Sequence, residues 1–422
     1  MTVLTAKMPP LVEEADDPEN ALEAMENPYP RFGELQHLGP VVAIKRRGLI
    51  NYHVTGYSNA VAVLNDSRFS KDQARMAEAI SASGKSGPEA GFVLSGSARR
   101  NLLNTDAPDH TRLRKLVSQA FQPARIKALE ADIERQIRTQ LDALSGREEA
   151  DLIADYAYPI AINLICIILG VPPQDKESFR IWATAASTPH IIAEAPVTQA
   201  EGARLLNEYL AELIQQVRVR ISEGETSDDL LTAMALAQEE TDALTDDELQ
   251  AMAFLLLVAG HETTVGLIGA TLLRLGNEPE QRQMLVDDPS LIDVAIEEFL
   301  RLDGPVMRTT FRVAVEDVEI EGYLIPRGGI TTVALPTANR DPVRYEDPDR
   351  FDVTRTGKPN LAFGFGPHFC LGRSLARSET KLAVNGFLQK FPDYEPGKAV
   401  WAKTVVRAPR SLPARLGRDT GK

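Results

Sequence analysis

The residue types that could carry out chemistry are concentrated in residues 363–372, whose sequence is FGFGPHFCLG. Three glycines and a proline in ten residues can form a tight loop with backbone angles that other residues avoid. Cys370 ends this loop just before helical periodicity begins at Ser374. Backbone N–H groups and the positive end of that helix would stabilise a thiolate. The segment therefore predicts an anionic sulfur ligand.

The only other cysteine is Cys166, in residues 162–169, a run that is apolar apart from Asn163. It is expected to pack as a small hydrophobe. With no CxxC pair, zinc and iron–sulfur sites are disfavoured for Cys370. A single soft anionic ligand suits a haem iron, where thiolate donates electron density that helps to cleave an O–O bond. The alternative for Cys370 is a buried structural cysteine beside a glycine-rich turn.

A long helix is predicted to position a second group of polar residues. A capping box at Thr245 and Glu248 begins it, and the apolar pattern continues to Leu275, about 30 residues or ~45 Å. Residues 252–258 are apolar almost all round, so the helix should be buried. Its middle, residues 259–264 (AGHETT), contains a glycine that costs about 1 kcal/mol and polar groups that need partners. A core helix that breaks local rules at its centre is where a functional site is expected.

The order of elements predicts a mainly α fold with a minor β part (α+β), as a single domain over residues 1–422. Helical patterns dominate residues 108–246, and strands are expected near residues 41–54 and 311–333. No repeat or linker divides the chain. About residues 1–26 form an acidic N-terminal segment that is expected to be loosely ordered.

The charge balance disfavours several classes of protein. Forty-six Lys and Arg against 60 Asp and Glu give a net charge of −14, whereas a nucleic-acid binder carries a basic surface. Residues 1–27 lack the basic and apolar pattern of a signal peptide. The most apolar stretches, residues 160–170 and 252–259, are short of the ~20 residues of a membrane span. We expect a cytoplasmic protein that binds neither nucleic acid nor membrane.

The loop and the helix centre, with further features across residues 27–413, resemble the cytochrome P450 family in its soluble bacterial type. The resemblance implies the fold of that family, with the long central helix over a haem, and haem b (iron protoporphyrin IX) as cofactor. It implies that Cys370 is the axial iron ligand, that Phe363 packs beside the thiolate and that His368 contacts a haem propionate. Gly372, the last residue of the motif, belongs to the same cofactor site. The implied activity is that of a monooxygenase.

Further propionate ligands are expected outside the loop. His110 and Arg114 stand four residues apart, so they share one helix face. Arginine grips a carboxylate with two hydrogen bonds, and haem carries two propionates. The resemblance adds Arg312 to this set. The alternative for each residue is an ordinary surface charge.

A structural ion pair is predicted at Glu298 and Arg301, which are three residues apart on one helix face. The pair resembles the Glu-x-x-Arg pair of the family, which joins an arginine further along the chain. Arg350 is the expected third member, with Arg340 as the second choice. The implied role is support of the fold on the haem side. On spacing alone, the pair could equally be a solvated surface pair.

The resemblance also gives the helix centre a role, because the acid–alcohol pair of the family falls on Glu262 and Thr263. A threonine hydroxyl can hold dioxygen and its waters at the haem, while a carboxylate relays protons from solvent. Gly260, after Ala259, is expected to leave room for the oxygen against the helix. The pair disfavours a peroxide-driven enzyme. The alternative is a purely structural Glu-Thr pair.

Substrate contacts are expected, by resemblance, from residues 70–102, 184–198, 305–311 and 406–412 and from the long helix. Many of these residues are apolar or small, which favours a bulky apolar substrate held by few polar groups. Arg308 is an exception that could meet a substrate carboxylate or hydroxyl, or else solvent or a propionate. Hydroxylation or epoxidation of a polyketide, macrolide, terpenoid or other secondary metabolite is the expected reaction. The predicted pocket residues are Val306, Met307, Arg308, Ile191, Ile192 and Val406.

No G-x-G-x-x-G follows a strand, so the chain lacks a nicotinamide or flavin fingerprint. Electrons are therefore expected from NAD(P)H through separate proteins, by resemblance a ferredoxin and its reductase. Basic residues beside the loop could steer an acidic ferredoxin, or could be scattered surface charges. They are Arg112, Lys115, Arg125, Arg373 and Arg377. We expect a monomer.

Two rival functions stay open. One is a haem-thiolate enzyme that is driven by peroxide or does not oxygenate its substrate. The other is a haem-free module with the same fold that docks a carrier protein. Cys370, Glu262 and Thr263 together disfavour the second.

Overall fold

The computed structural model describes residues 6–14, 25–83, 101–187, 197–239, 242–402 and 406–421. Within these ranges the chain is mainly helical with small sheets, which confirms the predicted α+β class. The helices are α1 (Tyr29–Leu38), α2 (Tyr57–Asn65), α3 (Gln73–Ala82), α4 (Asp109–Ala120), α5 (Pro123–Leu144), α6 (Tyr158–Ile168), α7 (Lys176–Ser187), α8 (Gln199–Ser222), α9 (Leu230–Leu236), α10 (Asp246–Asn277), α11 (Pro279–Asp287), α12 (Ile292–Asp303), α13 (Leu335–Asn339) and α14 (Arg373–Lys390). The strands are β1 (Leu11–Glu13), β2 (Val41–Arg46), β3 (Leu49–Val54), β4 (Phe69–Ser70), β5 (Glu149–Asp151), β6 (Gln238–Glu239), β7 (Asp242–Ala243), β8 (Arg312–Ala314), β9 (Val318–Ile320), β10 (Tyr323–Ile325), β11 (Ile330–Val333), β12 (Glu395–Pro396), β13 (Val400–Trp401), β14 (Pro409–Ser411) and β15 (Pro413–Arg415).

Contacts within the chain divide it into two compact units, each assembled from separate stretches of sequence. Unit 1 comprises Met1–Thr111, Val306–Phe351 and Gly357–Cys370. Unit 2 comprises Arg112–Pro305, Asp352–Thr356 and Leu371–Lys422. The single domain over residues 1–422 stays a prediction.

Unit 1 is built on a six-stranded sheet in the order β1-β2-β3-β11-β8-β4. β2 and β3 pair antiparallel, as predicted for residues 41–54, across a turn in which Arg47 and Gly48 have φ of 50° and 79°. β11 joins β3 in parallel and β8 antiparallel. Apolar side chains of the sheet and α2 form one core cluster, which includes Val41, Val54, Ala60, Leu64 and Val333.

Within the acidic N-terminal segment the structure describes residues 6–14, and the expectation of a loosely ordered segment over residues 1–26 stays a prediction. β1 pairs in parallel with β2, and Lys45 Nζ lies 2.7 Å from Glu13 Oε1. The expected substrate-contact region of residues 70–102 contains α3, whose first turn is capped by Asp72 accepting from the Arg75 N–H. Residues 84–100 lie outside the described part.

Unit 2 is a set of helices around α10, which packs against α6, α8, α12 and α14. The capping box is formed: the Thr245 hydroxyl accepts from the Glu248 N–H, and the Glu248 carboxylate accepts from the Thr245 N–H. The helix spans 32 residues, about 48 Å, and ends two residues beyond the predicted Leu275.

The length and composition of α10 raise the question of a membrane span. Of the helices in the described ranges, α10 alone is long and apolar enough to cross a membrane. However, 61% of its most apolar window is buried inside the protein, as expected of a core helix. The long buried helix of the sequence analysis is therefore confirmed.

Candidate active site

The glycine-rich loop before Cys370 has the constrained backbone that its sequence predicts. Gly364 and Gly366 have φ of +74° and +71°, in the left-handed region that favours glycine. A Cβ on Gly366 would lie 2.6 Å from the carbonyl oxygen of Leu64, so only glycine fits. The Cys370 N–H donates to the carbonyl oxygen of Phe363 at 3.0 Å. The half-buried thiol is thereby held on a fixed backbone, directly before the Gly372 cap of α14.

The second cysteine has a different environment. Cys166 is fully buried in α6, and burial raises the pKa of its thiol to about 12. Cys166 is therefore a neutral, packed side chain, which confirms the prediction for it.

Unit 1 brings three of the predicted propionate ligands together. The rings of His110 and His368 lie 4.1 Å apart between centroids, and His368 Nδ1 is 3.1 Å from the carbonyl oxygen of Leu102. His110 and Arg312 are each 4% exposed. Burial lowers the pKa of Arg312 to about 10, and burial with the nearby cations lowers the pKa of His368 to about 2. These residues form a buried, electropositive surface of unit 1.

Two further residues belong to this surface and were missed by the sequence analysis. Lys71 is 5% exposed, and its ammonium donates to the hydroxyl of Thr310. Asp106 accepts from the Lys71 N–H at 2.8 Å and from the Ser70 hydroxyl, and its carbonyl oxygen accepts from the His110 N–H at 2.9 Å. The only local signal for Lys71 is a lysine directly after a short strand, which does not distinguish it from a surface charge.

The charges of this cluster fit a haem. Lys71 and Arg312 are buried basic residues, and among the described residues Asp106 is the acid whose charge bears on both. An uncompensated buried charge is costly unless a ligand supplies the opposite charge. Haem propionates would do so, with Cys370 of the same unit as the sulfur ligand. Within the described ranges, no cluster of His, Cys, Asp and Glu is suited to hold a metal ion by itself.

The centre of α10 lies in unit 2. The Thr263 hydroxyl donates to the carbonyl oxygen of Ala259 at 2.7 Å, and Ala259 itself is exposed. Glu262 is buried, with 7% exposed. The role predicted for Gly260 is corrected, because a Cβ there would lie 2.9 Å from Cδ1 of Ile165 in α6. Gly260 permits close helix packing, and the open face of the helix is that of Ala259 and Thr263.

Glu298 and Arg301 form a buried ion pair, not a solvated one. Arg301 Nε and Nη2 donate to the two carboxylate oxygens of Glu298 at 2.7 and 2.8 Å, and both side chains are at most 2% exposed. Glu298 Oε1 also accepts from the Asp352 N–H and from Arg355 Nε, each at 3.1 Å. The pair is thus a bidentate ion pair within a larger network of charged hydrogen bonds.

The third member of this network is Arg355, which corrects the prediction of Arg350 with Arg340 as second choice. A turn in which the Arg355 N–H donates to the carbonyl oxygen of Asp352 brings Arg355 to Glu298. Arg350 is solvent-exposed. Arg340 donates to Asp349 at 2.7 Å and lies over the ring of Tyr29.

The predicted substrate residues that the structure describes are divided between the two units. Met307 is buried in a core cluster of unit 1 and Val306 packs against another, so Met307 is corrected to a core residue. The guanidinium of Arg308 lies 5.1 Å from the ring centroid of Phe32, and burial lowers its pKa. Val406 is half-buried in unit 2. Ile191 and Ile192 lie outside the described residues.

The other predicted cations lie in unit 2. Arg114 is half-buried and lines a cavity of about 450 Å³ together with Arg373. Arg112 is paired with Asp242 and Glu248. Arg377 is paired with Glu297, with Nε 2.5 Å from Oε1. The charges of two members of the predicted basic surface are therefore largely neutralised by neighbouring acids, so these two are less suited to attract an acidic ferredoxin.

Comparisons with known proteins agree with these features. The family model described as Cytochrome P450 matches residues 197–403. Cytochrome P450 107B1 of Saccharopolyspora erythraea is 42% identical over 400 residues, which cover 93% of this chain and 95% of that protein. Cytochrome P450 monooxygenase PikC of Streptomyces venezuelae is 38% identical over 94% of this chain and 93% of its own length.

Solved structures show the same similarity of fold. The ligand-free P450 monooxygenase TamI superposes with a TM-score of 0.83 at 35% identity, covering 97% of this chain and 94% of TamI. P450BioI, in complex with an acyl carrier protein that carries hexadec-9Z-enoic acid, gives 0.81 at 32% identity, covering 94% of this chain and all of that chain. Since sequence and fold agree over more than nine-tenths of the chain, this protein belongs to the cytochrome P450 family.

Proposed function

We propose that this cytochrome P450 monooxygenase inserts one atom of dioxygen into a bulky, mainly apolar small molecule, by hydroxylation or epoxidation. Its cofactor is haem b, and its electrons come from NAD(P)H through separate redox proteins. The observation that carries the proposal is the position of Cys370. It lies at the end of a rigid glycine-rich loop, in the same unit as a cluster of buried basic residues. A module that only docks a carrier protein would have no need of that cluster.

The residues of the chain would divide the work of holding the cofactor. The Cys370 thiolate would ligate the iron, and the fixed loop from Phe363 would keep the sulfur in place. His110, Arg312 and His368 would bind propionates from unit 1, and Arg114 would add a bidentate contact. When bound, the haem supplies the reduction and splitting of dioxygen.

Thr263 and Glu262 would supply protons. In the present conformation the Thr263 hydroxyl donates to the carbonyl oxygen of Ala259, so its oxygen is left to accept a hydrogen bond from water. A rotation about χ1 would free its proton for donation toward the open face of α10. The buried carboxyl of Glu262 would carry the replacement proton from solvent to that hydroxyl.

The class of substrate is proposed from the relatives. Their names include 6-deoxyerythronolide B hydroxylase, 35% identical, and Polyketide biosynthesis cytochrome P450 PksS, 34% identical. Another is Vitamin D(3) 25-hydroxylase, and a solved relative holds myristic acid. All of these names point to large molecules with much apolar surface. We propose a polyketide, macrolide, terpenoid or similar secondary metabolite for this chain.

The redox partners are proposed to be a ferredoxin and its reductase. The support is the absence of a flavin or nicotinamide fingerprint from the sequence, which leaves electron delivery to other proteins. Arg112, Lys115, Arg125, Arg373 and Arg377 are proposed as the basic residues of such a contact, and the ion pairs of Arg112 and Arg377 would reduce the share of those two. We propose a cytoplasmic monomer.

Ultraviolet–visible spectra of the reduced protein with carbon monoxide test the ligand directly. Wild type and Cys166→Ser should both show the red-shifted band of thiolate-ligated haem, whereas Cys370→Ser should lose that band and the oxygenase activity. Cys166→Ser is the matched control, because it alters the other sulfur of the chain. A thiolate band that persists in Cys370→Ser would overturn the assignment.

A turnover comparison separates the rival functions. Wild type should oxidise a macrolide or fatty-acid panel with oxygen, NADPH, a surrogate ferredoxin and its reductase. Turnover with peroxide alone and none with oxygen and reductant would make the enzyme peroxide-driven. A purified protein without haem would favour the carrier-docking module instead.

A further inference from the structure

Lys71 is a buried lysine placed beside the cations that the cofactor site already contains. It follows β4, which pairs antiparallel with β8 so that Ser70 lies opposite Val313. Lys71 follows Ser70 and Arg312 precedes Val313, and the two basic side chains are close enough to interact electrostatically. Like charges directly opposite each other in a sheet are destabilising, and here both side chains are at least 95% buried. An anion bound beside them would stabilise the charged forms of both side chains.

Asp106 provides only part of the compensation. Its two carboxylate oxygens accept from the Lys71 N–H and the Ser70 hydroxyl, so the carboxylate is bound to the backbone turn and not to the ammonium. Among the residues that the structure describes, the ammonium makes no ion pair, and its hydrogen bond goes to the neutral hydroxyl of Thr310. One carboxylate therefore serves two buried basic side chains, those of Lys71 and Arg312.

The same aspartate links Lys71 to the histidines. The carbonyl oxygen of Asp106 accepts from the N–H of His110 in the first turn of α4, and the ring of His110 lies 4.1 Å from that of His368. The buried Lys71, His110 and Arg312 and the half-buried His368 thus form one wall of unit 1, in which Asp106 holds the backbone of Lys71 and His110. A carboxylate that binds to this wall would meet the ammonium of Lys71.

We propose that Lys71 is an additional propionate-binding residue of the haem site, positioned by Asp106 and Thr310. The inference rests on the proposed cofactor role of this cluster and extends it to a residue that the sequence analysis did not single out. Burial and Arg312 hold the pKa of Lys71 well below its usual range, and a bound carboxylate would raise that pKa again. Lys71 would recognise a carboxylate in either case, and the alternative to a haem propionate is a carboxylate of the substrate.

Transfer of haem from the holoenzyme to apomyoglobin tests the proposal without measuring activity. Lys71→Met should lose haem about 10-fold to 100-fold faster than wild type, the factor expected for one hydrogen bond between charged groups. Lys71→Arg should restore slow loss, because it restores the charge. Lys45→Met, which removes an exposed lysine of the same unit, is the matched control and should leave the rate unchanged. Far-UV circular dichroism should be the same for all four proteins.

The outcomes separate the possible roles of Lys71. Equal rates of haem loss in wild type and Lys71→Met would overturn the proposal, as would equally fast loss in Lys71→Met and Lys71→Arg. Spectral titration with myristate and with tetradecanol tests the other source of a carboxylate. If haem loss is unchanged and only the preference for myristate disappears, Lys71 serves a substrate and the proposal is wrong. Wild-type protein that lacks haem would instead refute the proposed function itself.

Discussion

Replacement of Arg301 by methionine should lower the stability of the protein by several kilocalories per mole. The carboxylate of Glu298 is 1% exposed, and two of its four hydrogen bonds come from Arg301. Removal of Arg301 leaves that charge buried, with Arg355 and one N–H group as partners. Breaking a buried ion pair from one side costs about 3–5 kcal/mol. At ~2.1 cal/mol/K per residue, unfolding of 422 residues has an entropy near 0.9 kcal/mol/K, so Tm should fall by about 3–6 °C.

A graded series makes this prediction specific to the network. Arg355→Met removes one charge-assisted hydrogen bond from a partly exposed side chain, so it should cost about 1.5–3 kcal/mol, or about 2–3 °C. Arg350→Met should have almost no effect, because Arg350 is exposed. The double variant Glu298→Gln with Arg301→Met should cost less than the sum of the single variants, because it leaves no uncompensated charge.

Differential scanning calorimetry of the holoproteins, matched for haem content, would measure these shifts. Absorbance at the haem band gives the haem content of each variant. The assignment of the third arginine would be wrong if Arg350→Met lowered Tm as much as Arg301→Met while Arg355→Met did not. Shifts below about 1 °C for both Arg301→Met and Arg355→Met would show that Glu298 is not the centre of a buried network.

Two further predictions concern proton transfer and protonation. Thr263→Ala should bind haem and still consume reductant, but it should release hydrogen peroxide and form less product per NADPH. An unchanged ratio of product to NADPH would mean that the centre of α10 contributes only packing. Burial raises the pKa of Glu379 to about 8 from an unfolded value near 4.5, so the folded chain keeps a proton that the unfolded chain releases, and stability should fall as pH rises through that window. Glu379→Gln should remove a slope of about 1.4 kcal/mol per pH unit, as measured by urea denaturation at pH 5 and pH 8, and parallel curves for both proteins would contradict this.

Features whose determinants lie within one segment could be predicted from the sequence. The capping box at Thr245 and Glu248 lies within four residues, and α10 begins where it predicts. The glycines before Cys370 adopt the positive φ for which glycine is suited. In both cases a local rule decides the backbone, and no distant partner is needed.

Features that depend on turns and on contacts between distant segments could not be predicted from the sequence. Several arginines follow Glu298 in the chain, and the turn at Asp352 decides that Arg355 reaches it. Gly260 was expected to face oxygen, but sequence spacing does not reveal that Ile165 of another helix packs against it. An apolar residue such as Met307 can line a pocket or pack in the core, and the sequence does not distinguish the two. In the structure Met307 packs in a core cluster with residues of the neighbouring sheet.

Lys71 shows why a functional charge can be hidden in a sequence. Its neighbours in the chain are polar, and it lies far from the cysteine loop, so composition assigns it to the surface. The short pairing of β4 with β8 brings it near Arg312, about 240 residues away in the chain, and burial makes these two basic residues candidates for binding an anion. Since burying such charges without an anion is costly, the arrangement persists only if a ligand or the rest of the fold compensates for it. The physical signature of the cofactor site is thus an imbalance of charge, which exists only after the chain has folded.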